Sequence, residues 1–311
     1  MAYQWPHRHL LDIESLCTED LRFLLDRAHA LEKEAPATGL QTYTNRPLTV
    51  ANVFFENSTR TRLSFEQAQH RLGLHLLSWS VAGSSAAKGE SLKDTIANLL
   101  AMSVELMVVR HPDSGALAFL AQVFEGQKVQ FVNAGDGTHA HPTQALADML
   151  TLEKQLGDLR DLHIGIVGDV LHSRVARSNI FALKLLGAKV HVCGPATLIP
   201  NALKSMVDST SHDLELLLPK LEGVMALRMQ VERQSVAYVG SARDFSLRFG
   251  LKNSRLNHLI RPIPVLHPGP VNRGVELDSR VMDGGNALIL NQVANGVLVR
   301  TAVLETLLRN Q

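Results

Sequence analysis

Residues 54–65 read Phe-Phe-Glu-Asn-Ser-Thr-Arg-Thr-Arg-Leu-Ser-Phe. A β-rich run ends at Phe55, a turn follows, and Ser58 stands where it can cap a helix whose first turn holds Thr59, Arg60, Thr61 and Arg62. The unbonded N–H groups and positive dipole end of such a turn attract an anion. Arginine there is electrostatically unfavourable unless an anion arrives. Two hydroxyls and two guanidinium groups at one helix start therefore predict a phosphate site. The plainer alternative is a capped surface helix with solvated arginines.

Three more segments of the first half carry chemistry. Arg110, followed by His111 and Pro112, comes after the apolar run 106–109. That puts it at the C-terminal end of a strand, the edge where open α/β sheets bind ligands; an arginine in a surface loop is the alternative. Residues 133–144 read Asn-Ala-Gly-Asp-Gly-Thr-His-Ala-His-Pro-Thr-Gln. Gly135 and Gly137 let the chain turn tightly, and Pro142 suits the first turn of a helix. His141 then precedes a helix N-terminus, where the dipole favours a neutral imidazole able to donate one hydrogen bond to a carbonyl. His139 and His141 lack a third ligand, so no metal is expected. Residues 83–91 form a small-residue loop around Lys88, which suits a lid closing on an anion; a solvated linker lysine is the bland alternative.

In the second half, residues 168–178 read Gly-Asp-Val-Leu-His-Ser-Arg-Val-Ala-Arg-Ser after a strand-like run. The pattern G-x-G-x-x-G is absent, which disfavours a dinucleotide cofactor. What remains is Arg174 and Arg177 near a helix start. Arg228, with Gln230 and Arg233 beyond it, puts another arginine at the end of an apolar strand. A guanidinium fork matches a carboxylate bidentately, so these positions suit carboxylate clamps. Residues 267–270, His-Pro-Gly-Pro, supply a rigid turn with exposed carbonyls suited to an amino group. No Ser-His-Asp or Cys-His set stands out. The pattern fits direct transfer between two small bound anions, driven by positioning and by stabilising developing negative charge.

The elements that must hold these residues can be read from periodicity. A helix is expected over 13–34, with Leu21, Leu24, Leu25, Ala28 and Leu31 on one face and a cap at Thr18. Short apolar runs at 48–55, 74–79, 106–109, 128–133, 162–167, 188–193, 224–227 and 263–266 read as strands. Gly73 is a helix stop, and Ser91 with Asp94 forms a capping box. Helices are expected over 142–156 and 286–308. Strands alternating with helices predict an α/β protein of two domains, each an open, mainly parallel sheet covered by helices on both faces.

A length of 311 residues suits two domains. Hydrophobic residues at 45% and charged residues at 20% are an ordinary globular balance. A formal net charge of +1 argues against nucleic-acid or membrane-surface binding, so anion chemistry must come from local arginines. Cys17 and Cys193 build neither a disulfide framework nor a metal site, which suits a reducing compartment. No signal peptide or run of roughly 20 apolar residues is evident. A soluble, cytoplasmic protein is expected.

Taken together, residues 58–62, 110–112, 141–144, 228–233 and 267–270 resemble the aspartate carbamoyltransferase catalytic chains, in the family's order and along essentially the whole chain. The resemblance implies transfer of the carbamoyl group of carbamoyl phosphate to the amino group of L-aspartate, in de novo pyrimidine biosynthesis, with no metal or cofactor. It implies a carbamoyl-phosphate domain over 1–142, completed by a C-terminal helix over 288–311, and an aspartate domain over 143–287. Ser58, Thr59, Arg60 and Thr61 would cradle the phosphate, joined by Arg110. Thr61, Arg110 and His141 would polarise the carbamoyl oxygen, and Gln144 would hold the carbamoyl amide. Ser84 and Lys88 match a loop that reaches the neighbouring subunit's site, which implies a homotrimer with shared active sites. Lys88, Arg174, Arg228 and Gln230 would bind the aspartate carboxylates, and Pro268 and Gly269 would offer backbone carbonyls.

The turn after residue 268, Gly-Pro-Val-Asn-Arg, resembles bacterial forms that lack the best-known regulatory-subunit arrangement. Some of these associate with dihydroorotase or an inactive relative of it, a partner this chain could share. The ornithine carbamoyltransferases are the nearest rivals. They read His-Pro-Cys-Gln where this chain has Thr143, and His-Cys-Leu-Pro where it has Pro268 and Gly269. The Ser-Met-Gly segment they use has no counterpart here, since Ser205 and Met206 precede Val207. A catalytically silent scaffold subunit would lack Arg60, Lys88, Arg110 or His141; all four are intact.

Overall fold

The computed structural model describes residues 3–34, 48–80, 89–230 and 238–309. Ser84, Lys88 and Arg233 lie outside the described residues. The chain forms two compact units, Met1–Ala147 with Val293–Gln311, and Asp148–Gln292.

In the first unit, helix α1 (Thr18–Lys33) buries the stripe Leu21, Leu24, Leu25, Ala28 and Leu31. Each such leucine contributes roughly 1.5–3 kcal/mol on leaving water. Its cap is Cys17 rather than Thr18, because the Asp20 carboxylate accepts the Cys17 amide at 2.8 Å and closes the turn one residue earlier. Strand β1 (Thr49–Phe54), α2 (Thr59–Arg71), β2 (His75–Ser80), α3 (Leu92–Ala101), β3 (Leu106–His111), α4 (Ala116–Val123), β4 (Gln130–Asp136) and α5 (Pro142–Leu156) follow. Gly73 ends α2 as expected, with φ +67°. Ser91 accepts the Asp94 amide and caps α3. The strands form a parallel sheet in the order β2-β1-β3-β4. Val53, Met107, Val109, Ile96, Leu120 and Phe131 build the core on one side of it. Strands buried on both faces read as apolar runs, which is why this sheet was legible.

In the second unit lie β5 (His163–Val167), α6 (Arg174–Leu185), β6 (Lys189–Cys193), β7 (Ser209–Ser211), α7 (Leu214–Leu217), β8 (Gly223–Ala226), α8 (Ala242–Phe249), α9 (Asn253–Leu256), β9 (Val265–Leu266) and α10 (Ser279–Met282). These strands are also all parallel, in the order β7-β6-β5-β8-β9. Phe245, Phe249, Val224, Ala226 and Val265 are among its core. Two details differ from the sequence expectation. Strand β7 is polar, because it is an edge strand outside the apolar centre. Strand β9 is short: Pro264 gives its carbonyl to the Val224 amide at 3.0 Å but has no N–H to give.

The last helix, α11 (Ile289–Arg309), begins in the second unit and ends in the first, and the other boundary falls inside α5. Within the first unit, Glu305 on α11 accepts Arg27 Nε of α1 at 2.8 Å, and the Leu307 carbonyl accepts Gln130 Nε2 of β4 at 2.8 Å. No helix among the described residues is long and apolar enough to cross a membrane.

Candidate functional site

The strand order of the first unit fixes where a ligand can bind. From β1 the chain moves outward to β2, then crosses back to β3 on the other side. The topological switch point therefore lies between β1 and β3, and ligands bind outside the C-terminal strand ends at such a point. The β1–α2 turn with Ser58, Thr59, Arg60 and Thr61 leaves one side of it. Arg110, paired with Phe54 near the end of β3, stands on the other. The Phe55 amide bonds to the Arg110 carbonyl at 2.8 Å. The Arg110 guanidinium spans the edge, 3.2 Å from Glu56 Oε2 and donating to the Ala134 carbonyl of β4 at 3.1 Å.

Helix α2 starts after Ser58, as its N-cap, but the serine side chain makes no capping bond. The hydroxyl and the first helical amides thus point to the same task, since those amides have no acceptor inside a helix. Phe65 and Ala68 are fully buried, which sets the rotation of α2, while Thr59 and Arg60 stay exposed. The charge pattern is telling. Helices α1, α3 and α8 carry acids in the first turn, as the dipole favours. Helix α2, like α4 and α5, has none there, and unlike those two it opens on Thr59 and then an arginine, Arg60.

His141 and Gln144 belong to the next strand over. His141 is buried and immediately precedes α5, accepting the Gln144 and Ala145 amides on its carbonyl. The loop that carries it is fixed by Asp136, a residue to which the sequence reading gave no role. The Asp136 carboxylate accepts the Gly115 amide at 2.7 Å, Asn133 Nδ2 at 2.8 Å and the Ala140 amide at 3.1 Å, and lies 3.0 Å from His139 Nδ1. Burial pushes this carboxyl up, but the bonds from His139, Asn133 and the Gly115 amide outweigh it and hold it below the usual range. It ties the loop after β3 to the loop after β4. Gly137, at φ +45°, permits the close approach, for a Cβ there would collide with Ser114.

The second unit repeats the arrangement. Its switch point lies between β5 and β8, since β6 and β7 extend one way and β9 the other. Gly168 ends β5 at φ +130°, and a Cβ there would sit 2.7 Å from the Leu227 carbonyl, so only glycine lets the two strand ends meet. Helix α6 opens on Arg174, 5% exposed, again with no acid in its first turn; Ser173 caps it through the Ala176 amide at 3.1 Å. Arg228, half-buried, is two residues past β8. The segment is pinned by Asp169, which accepts the Gln230 amide at 3.2 Å and His172 Nδ1 at 2.9 Å, while Gln230 Nε2 donates to the His172 carbonyl at 3.1 Å. Arg177 instead lies over the Phe181 ring at 5.4 Å. Pro268 and Gly269 follow the edge strand β9, one strand beyond β8.

Two family models match this chain: the carbamoyl-phosphate-binding domain of aspartate/ornithine carbamoyltransferase over residues 8–154, and its Asp/Orn-binding domain over residues 160–307. The chain belongs to the aspartate/ornithine carbamoyltransferase family. Among similar proteins is the aspartate carbamoyltransferase catalytic subunit of Gemmatimonas aurantiaca, 49% identical over 297 residues, which are 96% of this chain and 92% of that one. Aspartate transcarbamoylase from Trypanosoma cruzi, solved with carbamoyl phosphate and aspartate, superposes with TM-score 0.85 at 26% identity, covering 96% of each chain. Ornithine carbamoyltransferase from Thermus thermophilus superposes with TM-score 0.84 at 28% identity, covering 97% of this chain and 99% of that one. Within this carbamoyltransferase family the fold alone therefore does not choose the acceptor; side chains must.

Of the residues singled out by sequence, Ser58, Thr59, Arg60, Thr61, Arg110, His141 and Gln144 gather at one sheet edge of the first unit. Arg174, Arg228 and Gln230 gather at one edge of the second. Glu56, Asp136, Asp169 and His172 had no assigned role, although each supports a candidate residue or its loop. A signal for two of them was present: Asp169 follows a glycine directly after the apolar run 162–167, and Asp136 follows Gly135, which stands two residues past the run 128–133.

Proposed function

We propose that this chain transfers the carbamoyl group of carbamoyl phosphate to the amino group of L-aspartate, giving N-carbamoyl-L-aspartate and phosphate in pyrimidine biosynthesis. The observation that carries it is the pair of switch points at which α2 and α6 each open on arginine without an acid. Helix α2 adds three hydroxyls, which suits a phosphate. Helix α6 adds Arg228 and Gln230 on the neighbouring strand end, which suits a second carboxylate. An acceptor with a cationic side chain would meet arginine there, a like-charge contact that costs rather than gains. Relatives at 44–49% identity that bear the aspartate carbamoyltransferase name support this choice.

In the proposed reaction Ser58, Thr59, Arg60, Thr61 and Arg110 hold the phosphate of the donor. Thr61, Arg110 and His141 draw charge onto the carbamoyl oxygen, and Gln144 binds the carbamoyl amide. The amine attacks the carbamoyl carbon, the C–N bond forms, the C–O bond to phosphate breaks, and the departing phosphate takes the amine proton. Arg174, Arg228 and Gln230 hold the two carboxylates, with the Pro268 and Gly269 carbonyls facing the amine. The purified chain should carbamoylate aspartate and leave ornithine unused; turnover of ornithine in place of aspartate would reverse the acceptor assignment.

The proposal extends to a cytoplasmic homotrimer in which Ser84 and Lys88 complete the neighbour's site, and to association with a dihydroorotase or an inactive relative of it. Mixing a Lys88→Ala chain with a His141→Ala chain should restore activity, because some sites then draw all intact residues from two chains. No recovery after verified subunit exchange counts against sharing. A native mass no larger than three chains counts against the partner.

A further inference from the structure

The turn at 267–270 is held by a buried pair that the reaction above does not use. His267 and Glu276 are each 1% exposed, and Glu276 Oε1 lies 3.3 Å from His267 Nε2. The same oxygen accepts the Asn272 amide at 2.6 Å; its approach to Nε2 is an electrostatic contact at ion-pair distance rather than an aligned hydrogen bond, and Glu276 Oε2 has no hydrogen-bond partner among the described residues. Oε1 is therefore the atom through which this carboxylate acts. On the far side of the ring, Nδ1 accepts the Gly269 amide at 2.8 Å. An imidazole nitrogen that accepts carries no proton, so the proton of the neutral ring sits on Nε2, facing Glu276. The His267 amide is fixed in turn by Gln292 Oε1 at 2.9 Å.

The tautomer matters to the turn. With the proton on Nδ1, that nitrogen would meet the Gly269 N–H donor to donor and the bond would be lost. Gly269 sits at φ +66°, and the Nδ1 bond to its amide helps hold it in that conformation. A carboxylate beside Nε2 selects the tautomer that accepts at Nδ1, the same logic by which a buried acid orients a catalytic histidine.

We propose that Glu276 is a positioning residue for the amino-group acceptor: through the His267 ring it sets the Pro268 and Gly269 carbonyls that receive the aspartate amine. This rests on the aspartate reading given above. It separates the two substrates, because the side-chain bonds given above, from the Gly269 and Asn272 amides, fall on the turn assigned to aspartate and the residues just after it.

The test is steady-state kinetics of the full chain, with each substrate varied in turn, beside thermal melts. Glu276→Met removes the carboxylate beside Nε2 and the acceptor of the Asn272 amide, and should raise the KM for aspartate by about tenfold, the scale of one lost hydrogen bond, with the KM for carbamoyl phosphate within about twofold. Glu276→Gln keeps an acceptor at Oε1 and should stay within about threefold of wild type. An unchanged aspartate KM in Glu276→Met, a parallel rise of both constants, or a Gln variant as impaired as the Met variant overturns the proposal. Should the Met variant not fold, Glu276→Asp, which draws the carboxylate back from the ring, must impair aspartate binding more than Gln does; the reverse order overturns it. A wild-type chain inactive on aspartate sinks the functional reading and this inference with it. An active wild type with a normal Met variant sinks the inference alone.

Discussion

Arg60→Ala should lower turnover by about 10²–10³-fold, equivalent to roughly 3–4 kcal/mol of lost transition-state stabilisation, without lowering the melting temperature. The two halves of that expectation come from one fact. Arg60 is exposed in the first turn of α2, a turn that contains no acidic residue, so its cation opposes the helix dipole. Removing an exposed side chain takes away little buried surface and relieves that repulsion, so stability should hold or change only slightly. In the proposed reaction the same cation faces the phosphate as charge builds on it. A residue kept for the fold would show the opposite pattern, a lower melting temperature with normal turnover in the surviving protein. Turnover near that of wild type, at saturating carbamoyl phosphate and aspartate, would remove Arg60 from the cradle.

The sequence was most informative where chemistry and geometry share a short segment. Pro142 marks the first residue of α5 because its fixed φ and missing N–H suit that position alone, and the helix ends at Leu156 as periodicity indicated. Residues 58–61 reveal themselves because strand, turn, hydroxyls and arginines are contiguous. The supporting groups are different. Asp136 meets Gly115, and Gln230 meets Asp169, across long stretches of chain, so nothing local marks either pairing. Ser209–Ser211 has no apolar pattern to announce a strand; it is defined by the β6 edge it pairs with. His267 was noticed for the prolines beside it, whereas its partner Glu276 sits in an unremarkable run and is disclosed only by its burial.

Arg228→Ala should leave a different signature from Arg60→Ala: an aspartate KM raised on the order of 10- to 100-fold, with the KM for carbamoyl phosphate nearly unchanged. The scale is that of a hydrogen bond to a charged group, about 1.5–3 kcal/mol. The loop should keep its place without the guanidinium. The Leu227 amide bonds to the Val167 carbonyl at 2.8 Å, and Gln230 is anchored at both its amide and its side chain. What is lost is then the carboxylate contact itself rather than the segment that presents it. Arg228→Lys should recover little, since an ammonium is a point charge and cannot grip both carboxylate oxygens as the planar fork does. Ornithine should remain unused by either variant: Arg174 still opens α6, and deleting one cation supplies no anion for a cationic side chain. An Arg228→Ala chain that binds aspartate as wild type does would take the second carboxylate away from this strand end, and the case for a diacid acceptor would then have to be made without it.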